Sequence, residues 1–263
     1  MKNRFAKAGN GEKTICAVIS ILVFLVIWQL VASFTEAGKI FAGPIEVLGS
    51  FFSAVVRPIG NNTIQEHVLW SLFRVLTGFV IGSALGVIIG ILMGQFAAVN
   101  AFVRPIFEVI RPIPAIAWIP LSITWFGLGE SAKYFLIALS SFCSVTINCC
   151  SGAASVDQTL IGAATMLGAN KWQVFTTIVL PSCVPHIFAG LQIAIGSAWA
   201  TVVAAEMVRS SEGVGWVIVK GQEMNSTVQI LVGIVGVGIV GFLLAVAMRA
   251  AEANLCRWSV RGK

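Results

Sequence analysis

Charge is scarce in this sequence. Of its 263 residues, 11% are charged and 57% hydrophobic, against about 25% charged in ordinary soluble domains. That balance excludes a soluble globular fold before any motif is read. Histidine is scarce as well: His67 and His186 stand alone, without the companions from which zinc or haem sites are assembled. The cysteines, Cys16, Cys143, Cys149, Cys150, Cys183 and Cys256, lie in or beside apolar runs without metal-type spacing and read as small buried hydrophobes. A G-x-x-x-x-G-K-[ST] phosphate loop is missing, since Gly38-Lys39 runs into Ile40. The chain therefore carries no nucleotide motor of its own. With no nucleophile paired to a base and no metal set, a membrane enzyme is a poor reading too.

What remains is a succession of apolar runs. Stretches free of Asp, Glu, Lys and Arg extend from Thr14 to Thr35, Val75 to Val103, Pro112 to Gly129, Tyr134 to Val156, Trp172 to Ala205 and Met224 to Met248. A membrane-spanning helix needs about 20 mainly apolar residues, so about six spans are expected. The first run exceeds the ~7–15 residues of a secretory signal core and reads as a retained span. Basic residues mark the cytoplasmic side. Lys2, Arg4, Lys7 and Lys13 precede the first span, and Arg249, Arg257, Arg261 and Lys263 follow the last. Both termini are expected in the cytoplasm, as an even number of spans requires. The net charge of +6 then reflects topology and anionic lipid, and no nucleic-acid partner is implied.

Several runs carry finer signals. Between the first two spans, Ile45 to Val56 is moderately amphipathic after Gly43-Pro44 and is expected to lie along the outer interface. Asn61-Asn62-Thr63 reads as a turn. In the second span Gly78, Gly82, Gly86, Gly90 and Gly94 recur every fourth residue, a side-chain-free stripe that invites close approach of another helix. Arg111 to Ser131 contains Pro112, Pro114 and Pro120, which oppose a regular helix. Such backbone either lines a water-filled cavity, with Trp118, Ser122, Thr124 and Trp125 offered to a polar solute, or forms a kinked, packed helix with interfacial tryptophans. Ser140, Ser141 and Ser144 in the fourth span either line a pathway or bond back to their own helix. Trp199, Thr201 and Glu206 near the end of the fifth span are further pathway candidates, although an acid there is equally an ordinary interfacial charge.

The segment between the fourth and fifth spans is different in kind. Asp157 is placed to cap a short helix bearing Leu160, Ile161, Ala164 and Leu167 on one face. Gly168 stands where a helix C-terminus favours glycine. Asn170 with Gln173 forms a capping-box pattern that starts a second helix at Lys171, on which Trp172, Phe175 and Ile178 repeat until Pro181 interrupts. The expectation is a helix-turn-helix elbow at the cytoplasmic face, with spaced apolar anchors suited to a groove on a soluble partner.

The spacing Gly162-Ala163-Ala164, three residues, Gly168, nine residues, Ile178-Val179-Leu180-Pro181 resembles the signature of bacterial ABC importer permeases, which usually begins with Glu. Arg111 to Ile137, Ser151 to Asp157 and Ala204 to Ile218 are similar to the branch that imports taurine, alkanesulfonates, nitrate or bicarbonate, and the similarity runs from about Pro44 to the C-terminus. The resemblance implies an all-α integral membrane protein with the type I ABC importer permease fold. Its parts would be a cytoplasmic tail and first transmembrane helix over 1–35, an external interfacial segment over 36–66, a permease core over 67–248 with coupling helices at about 157–180, and a cytoplasmic tail over 249–263. It further implies that Gly162, Ala163, Ala164, Leu167, Gly168, Lys171, Trp172, Phe175, Ile178, Leu180 and Pro181 couple to an ATPase, without the usual carboxylate at 162. The implied partners are a second permease copy, two ATP-binding subunits, a periplasmic or lipid-anchored solute-binding protein and membrane lipid. No cofactor is expected on this chain; ATP and magnesium belong to the partner ATPase. Sulfonate is the preferred solute, with nitrate, bicarbonate or a small heterocyclic vitamin precursor behind it. The alternative is a secondary transporter or channel, which would place ion-binding groups inside its spans; Arg74, Glu108, Arg111 and Glu206 are the nearest to that, each expected at a span end.

Overall fold

The computed structural model describes residues 10–34 and 42–256. Among these the chain is helical: α1 Asn10–Phe34, α2 Pro44–Val56, α3 Ile64–Gln95, α4 Ala97–Ile110, α5 Ile119–Phe126, α6 Glu130–Ala154, α7 Gln158–Met166, α8 Lys171–Val174, α9 Leu180–Val208, α10 Val214–Glu223 and α11 Thr227–Leu255. Five helices are long and apolar enough to cross a membrane, and a sixth span is made if α4 and the Ala115–Phe126 segment are counted as one broken element bent by 83°. About six spans were expected. The bend follows from the sequence: the Arg111 N–H still bonds to the Phe107 carbonyl at 2.9 Å, but Pro112 and Pro114 supply no donors to continue the ladder. A 3₁₀ turn, Ala115–Trp118, restarts the chain, and Pro120 sits in the first turn of α5, where its missing N–H costs nothing.

Two compact units are present, one of Met1–Ile64 with Val217–Val235 and one of Gln65–Trp216 with Gly236–Lys263. In the first, α1 is apolar on every side and α2 starts on Pro44 after an extended Gly43. The Asn61–Thr63 region is a turn, with Gly60 at φ 69° and an isolated bridge between Ile59 and Asn62. The second unit is organised by the glycine stripe of α3. A Cβ on Gly82 would overlap the Ala138 carbonyl, and one on Gly90 would meet the Thr146 carbonyl at 2.6 Å. Backbone therefore packs on backbone along α3 and α6, the contact that small-xxx-small stripes make where lipid removes the hydrophobic drive between helices. Two apolar clusters complete this core. One joins Ile91, Val145, Cys149, Val179 and Cys183; the other joins Val75, Ile137, Ile195, Trp199, Val202 and Val240.

Candidate functional site

Three constructions in the second unit bear on function: an elbow, a buried ion network and a cleft. The elbow joins α6 to α9. Its first helix, α7, is capped by the Asp157 carboxylate, which accepts the Thr159 N–H at 2.8 Å. Those bonds from Thr159 hold the Asp157 carboxyl below the ordinary carboxylate value. α7 ends in a Schellman motif: the Gly168 N–H donates to the Thr165 carbonyl and the Ala169 N–H to the Ala164 carbonyl, each at 3.0 Å, with Gly168 left-handed at φ +87°. Two residues later a complete capping box opens α8. The Gln173 N–H donates to Asn170 Oδ1 at 2.9 Å and the Asn170 N–H to Gln173 Oε1 at 2.8 Å. The turn is thus locked from both sides, and it presents Met166, Leu167 and Trp172 at 86%, 89% and 71% exposure.

One expectation about this segment needs correction. The second helix does not stop at Pro181. It passes through a π-helical turn, Phe175–Val179, in which the Leu180 N–H reaches back to the Phe175 carbonyl, and continues as α9. Pro181 has no N–H for the Thr177 carbonyl, and its ring would crowd that oxygen in a regular α-helix; widening the preceding turn absorbs both defects without a break. The sequence-based anchors also divide. Leu167, Lys171 and Trp172 face outward with Gly162 and Ala163, whereas Ala164 is half-buried and Phe175 and Ile178 pack against the core cluster of Val145, Cys149 and Val179. Phe175 still stacks on Trp172, ring centroids 5.8 Å apart, and so braces the exposed indole. Leu180 and Pro181 lie exposed at the start of α9. Gly162 is open, with nothing within 4 Å of the position a Cβ would take.

The ion network lies at the far end of the same helices. The Glu206 carboxylate is 1% exposed and accepts from Arg74 Nη1 at 2.9 Å, from the Ser71 hydroxyl at 2.9 Å and from the Gly215 N–H at 3.0 Å. Arg74 is shared: its Nε and Nη2 donate to Glu130 at 2.6 and 2.9 Å, and Nη1 also donates to the Glu212 carbonyl at 2.9 Å. Lys133 donates to Glu130 at 2.9 Å and to Ser210 at 3.1 Å. The Gly213 N–H donates to His67 Nδ1 at 3.1 Å, and His67 stacks on Trp216. Gly213 has φ +112°, and any Cβ there would strike the Glu206 carboxylate. Together these bonds fasten the 209–215 loop to α3 and α6. Burying these charges is tolerable because every one of them is paired. Glu206 is therefore buried and fully bonded rather than a solvent-exposed charge, and Arg74 is likewise inside the packing. Sequence reasoning did not find Arg74's partners, although His67, Ser71 and Arg74 recur at one-face helical spacing.

The cleft, of about 330 Å³, opens between the bend after α4, α6 and α9. The bend contributes Arg111, Ile113, Pro114, Ala115 and Ile116, α6 contributes Leu139, Ser140, Cys143 and Ser144, and α9 contributes Ser197, Ala200 and Thr201. Three pathway candidates, Ser140, Ser144 and Thr201, come together here. The Ser144 and Thr201 hydroxyls donate to carbonyls one turn back, at 3.3 and 2.8 Å, so what they offer the cleft is acceptor capacity. The other candidates lie elsewhere. Ser122 and Ser141 are buried with their hydroxyls bonded to Ile119 and Ile137 carbonyls. Thr124 and Trp125 are exposed on α5, Thr124 bonded to Pro120. Trp118 is half-buried, and Trp199 is buried with its Nε1–H on the Val237 carbonyl at 3.0 Å. Arg111, expected at a span end, stands instead at the break between the two arms of the bent element.

Comparison with known proteins places this architecture. A family profile described as "binding-protein-dependent transport system inner membrane component" matches residues 82–257. The taurine transport system permease protein TauC of Escherichia coli is 34% identical over 241 residues, 91% of this chain and 88% of TauC. The nitrate import permease protein NrtB of Synechocystis is 32% identical over 239 residues, 89% of this chain and 86% of NrtB. Among solved structures, an inward-facing form of the MetNI methionine ABC transporter aligns with a TM-score of 0.56 at 20% identity, covering 74% of this chain and 93% of that one; at that identity the likeness concerns the fold. Five or six apolar helical spans, a glycine-packed core and a capped elbow in the signature spacing thus occur in one chain, which belongs to the inner-membrane permease family of binding-protein-dependent ABC importers.

Proposed function

We propose that this chain works as one half of a homodimeric permease in an ATP-driven importer, with both termini and the elbow in the cytoplasm. Two ATP-binding subunits, which hold ATP and magnesium, seat the elbow in a cleft, and a periplasmic or lipid-anchored binding protein delivers solute to the outer face. The observation that carries this reading is the elbow. A nine-residue helix such as α7 would be marginal in water on its own, yet here a Schellman motif and a capping box freeze its junction with the next helix while Leu167 and Trp172 stand in the open. A rigid, polar-backed turn with large apolar side chains on its tip suits insertion into a groove. ATP-driven closure of the partner subunits then moves the elbow and shifts the bundle between two access states, as coupling requires.

Taurine or another sulfonate is the preferred solute, with nitrate or bicarbonate next, and the cleft lined by Ser140, Ser144 and Thr201 is its route. Saturation of Glu206, Arg74 and Glu130 by one another argues against a coupling-ion site of the kind a secondary transporter needs. The test is reconstitution of the chain in proteoliposomes with the ATPase and the binding protein made alongside it. Taurine should accumulate only when ATP is enclosed with the ATPase. Uptake that proceeds without ATP, or failure of the chain to hold any P-loop ATPase through purification, would overturn the proposal.

A further inference from the structure

We infer that Arg111 is the solute-contacting cation of the permease, and that the cleft it lines takes an organic monoanion with a short apolar body. The inference deepens the proposed function and rests on it for the identity of the transported class. Among the described residues Arg111 makes no ion pair or side-chain hydrogen bond, a condition it shares with Arg57, Lys171, Arg209 and Arg249, but of these it is the one that lines the cleft. An unpaired guanidinium at the break of a membrane-inserted element is costly unless it faces water or a ligand. Its position, at the end of one arm of a discontinuous helix, is where transport proteins expose polar groups at membrane depth.

The walls decide the class of anion. Ile113, Pro114, Ile116 and Leu139 make most of the lining apolar, and the hydroxyls that remain are few. Nitrate or bicarbonate has no carbon body to lay against these walls and would leave them uncovered. An alkanesulfonate or alkyl carboxylate places its head on Arg111, whose planar fork matches an oxyanion, and its carbon body on the walls. No Asp or Glu lines the cleft, so the ammonium of a zwitterion finds no counter-charge. Simple alkanesulfonates should therefore occupy the site more readily than taurine.

Cys143 lies in the same cleft and supplies a built-in reporter. In the assembled transporter with Cys16→Ala and Cys150→Ala, Cys143 is labelled with anionic sulfonatoethyl methanethiosulfonate and with its cationic trimethylammonioethyl analogue, each rate normalised to that of free cysteine. The anionic reagent should be favoured by roughly tenfold, the scale of one full charge nearby in a partly hydrated site. Arg111→Gln should abolish the preference and Arg111→Lys should retain it. Butanesulfonate should protect Cys143 in the unmutated cleft at lower concentration than taurine or nitrate, a readout that needs no change at 111. Equal rates for the two reagents, a preference that survives Arg111→Gln, or a Cys143 inert to both would overturn the site. Persistent charge preference in a complex that takes up no sulfonate would overturn the proposed solute and leave the anion site standing.

Discussion

Substitution of Gly168 isolates the elbow from everything else in the molecule. Gly168 sits at φ +87° with nothing within 4 Å of the point a Cβ would occupy, so a new side chain meets strain in its own backbone and no neighbour. For an L-residue the left-handed conformation costs about 1–2 kcal/mol, and Asn bears it more easily than others. At roughly 1.4 kcal/mol per tenfold, Gly168→Ala should lower the population of the locked turn by a factor on the order of 5–30. Because α7 is short, 9 residues, its junction with the helix that follows has little stability in reserve. The fall in population should then appear almost fully as weaker binding of the ATPase, whose apparent affinity scales with the competent fraction. Affinity for the ATPase, measured by titrating it onto the purified permease in nanodiscs, should fall in the order Gly, Asn, Ala, Val, with solute uptake falling in parallel and membrane insertion unchanged. If Ala and Val bind as tightly as Gly, or Asn is as damaging as Val, the turn does not set docking and the reasoning fails.

Three further predictions follow from the same contacts. Gly82→Ala should destabilise the protein strongly, because its Cβ overlaps the Ala138 carbonyl, while Gly162→Ala, in open space on α7, should be neutral or raise helix stability by about 0.5–1 kcal/mol; detergent melting curves of the pair compare close approach directly with propensity. Glu206→Ala leaves Arg74 buried without one of its two carboxylates and removes the Gly215 anchor of the 209–215 loop, a loss on the order of 3–5 kcal/mol. The melting temperature should drop well below that of Glu223→Ala, whose partner Lys220 is exposed, and equal melting of the two variants would contradict the buried pairing. The Asp157 carboxyl titrates below its ordinary value because Thr159 bonds its charged form. Its contribution to α7 is therefore present above the ordinary carboxylate value and lost only as pH falls through the lowered one. ATPase binding should consequently be insensitive to this group between pH 6 and 8, and Asp157→Asn, which keeps the cap, should bind like the parent at pH 7, while Asp157→Ala should bind less tightly.

The elbow was readable because its determinants are local. A cap at Asp157, a glycine at the C′ position and the Asn170/Gln173 reciprocal pair each act over three or four residues, so their order in the chain is enough to place two helices and the turn between them. Even here tertiary packing intervened. Phe175 and Ile178 share a stripe with Trp172 in sequence, yet both pack against the core cluster while Trp172 stays exposed, and a π-turn carries the helix past Pro181. The bend after Arg111 was legible in its prolines; which side chains faced its cleft was not.

By itself the sequence determined what depends on composition and short range: that the chain is a membrane bundle of about six spans, that one helix offers a glycine stripe, and that a capped elbow interrupts the oil. Only the tertiary structure decided which helix fills the stripe, and that Arg74, Glu130 and Glu206, 56 and 132 residues apart along the chain from Arg74, close into one network. It also separated Ser140, Ser144 and Thr201, which share a cleft with Arg111, from Ser122, Ser141 and Trp199, which do not. The physical reason is range. Caps and glycine spacing act within a few turns of helix, whereas the partner of a charge or the open side of a hydroxyl is settled by which helices meet, through contacts no local pattern records.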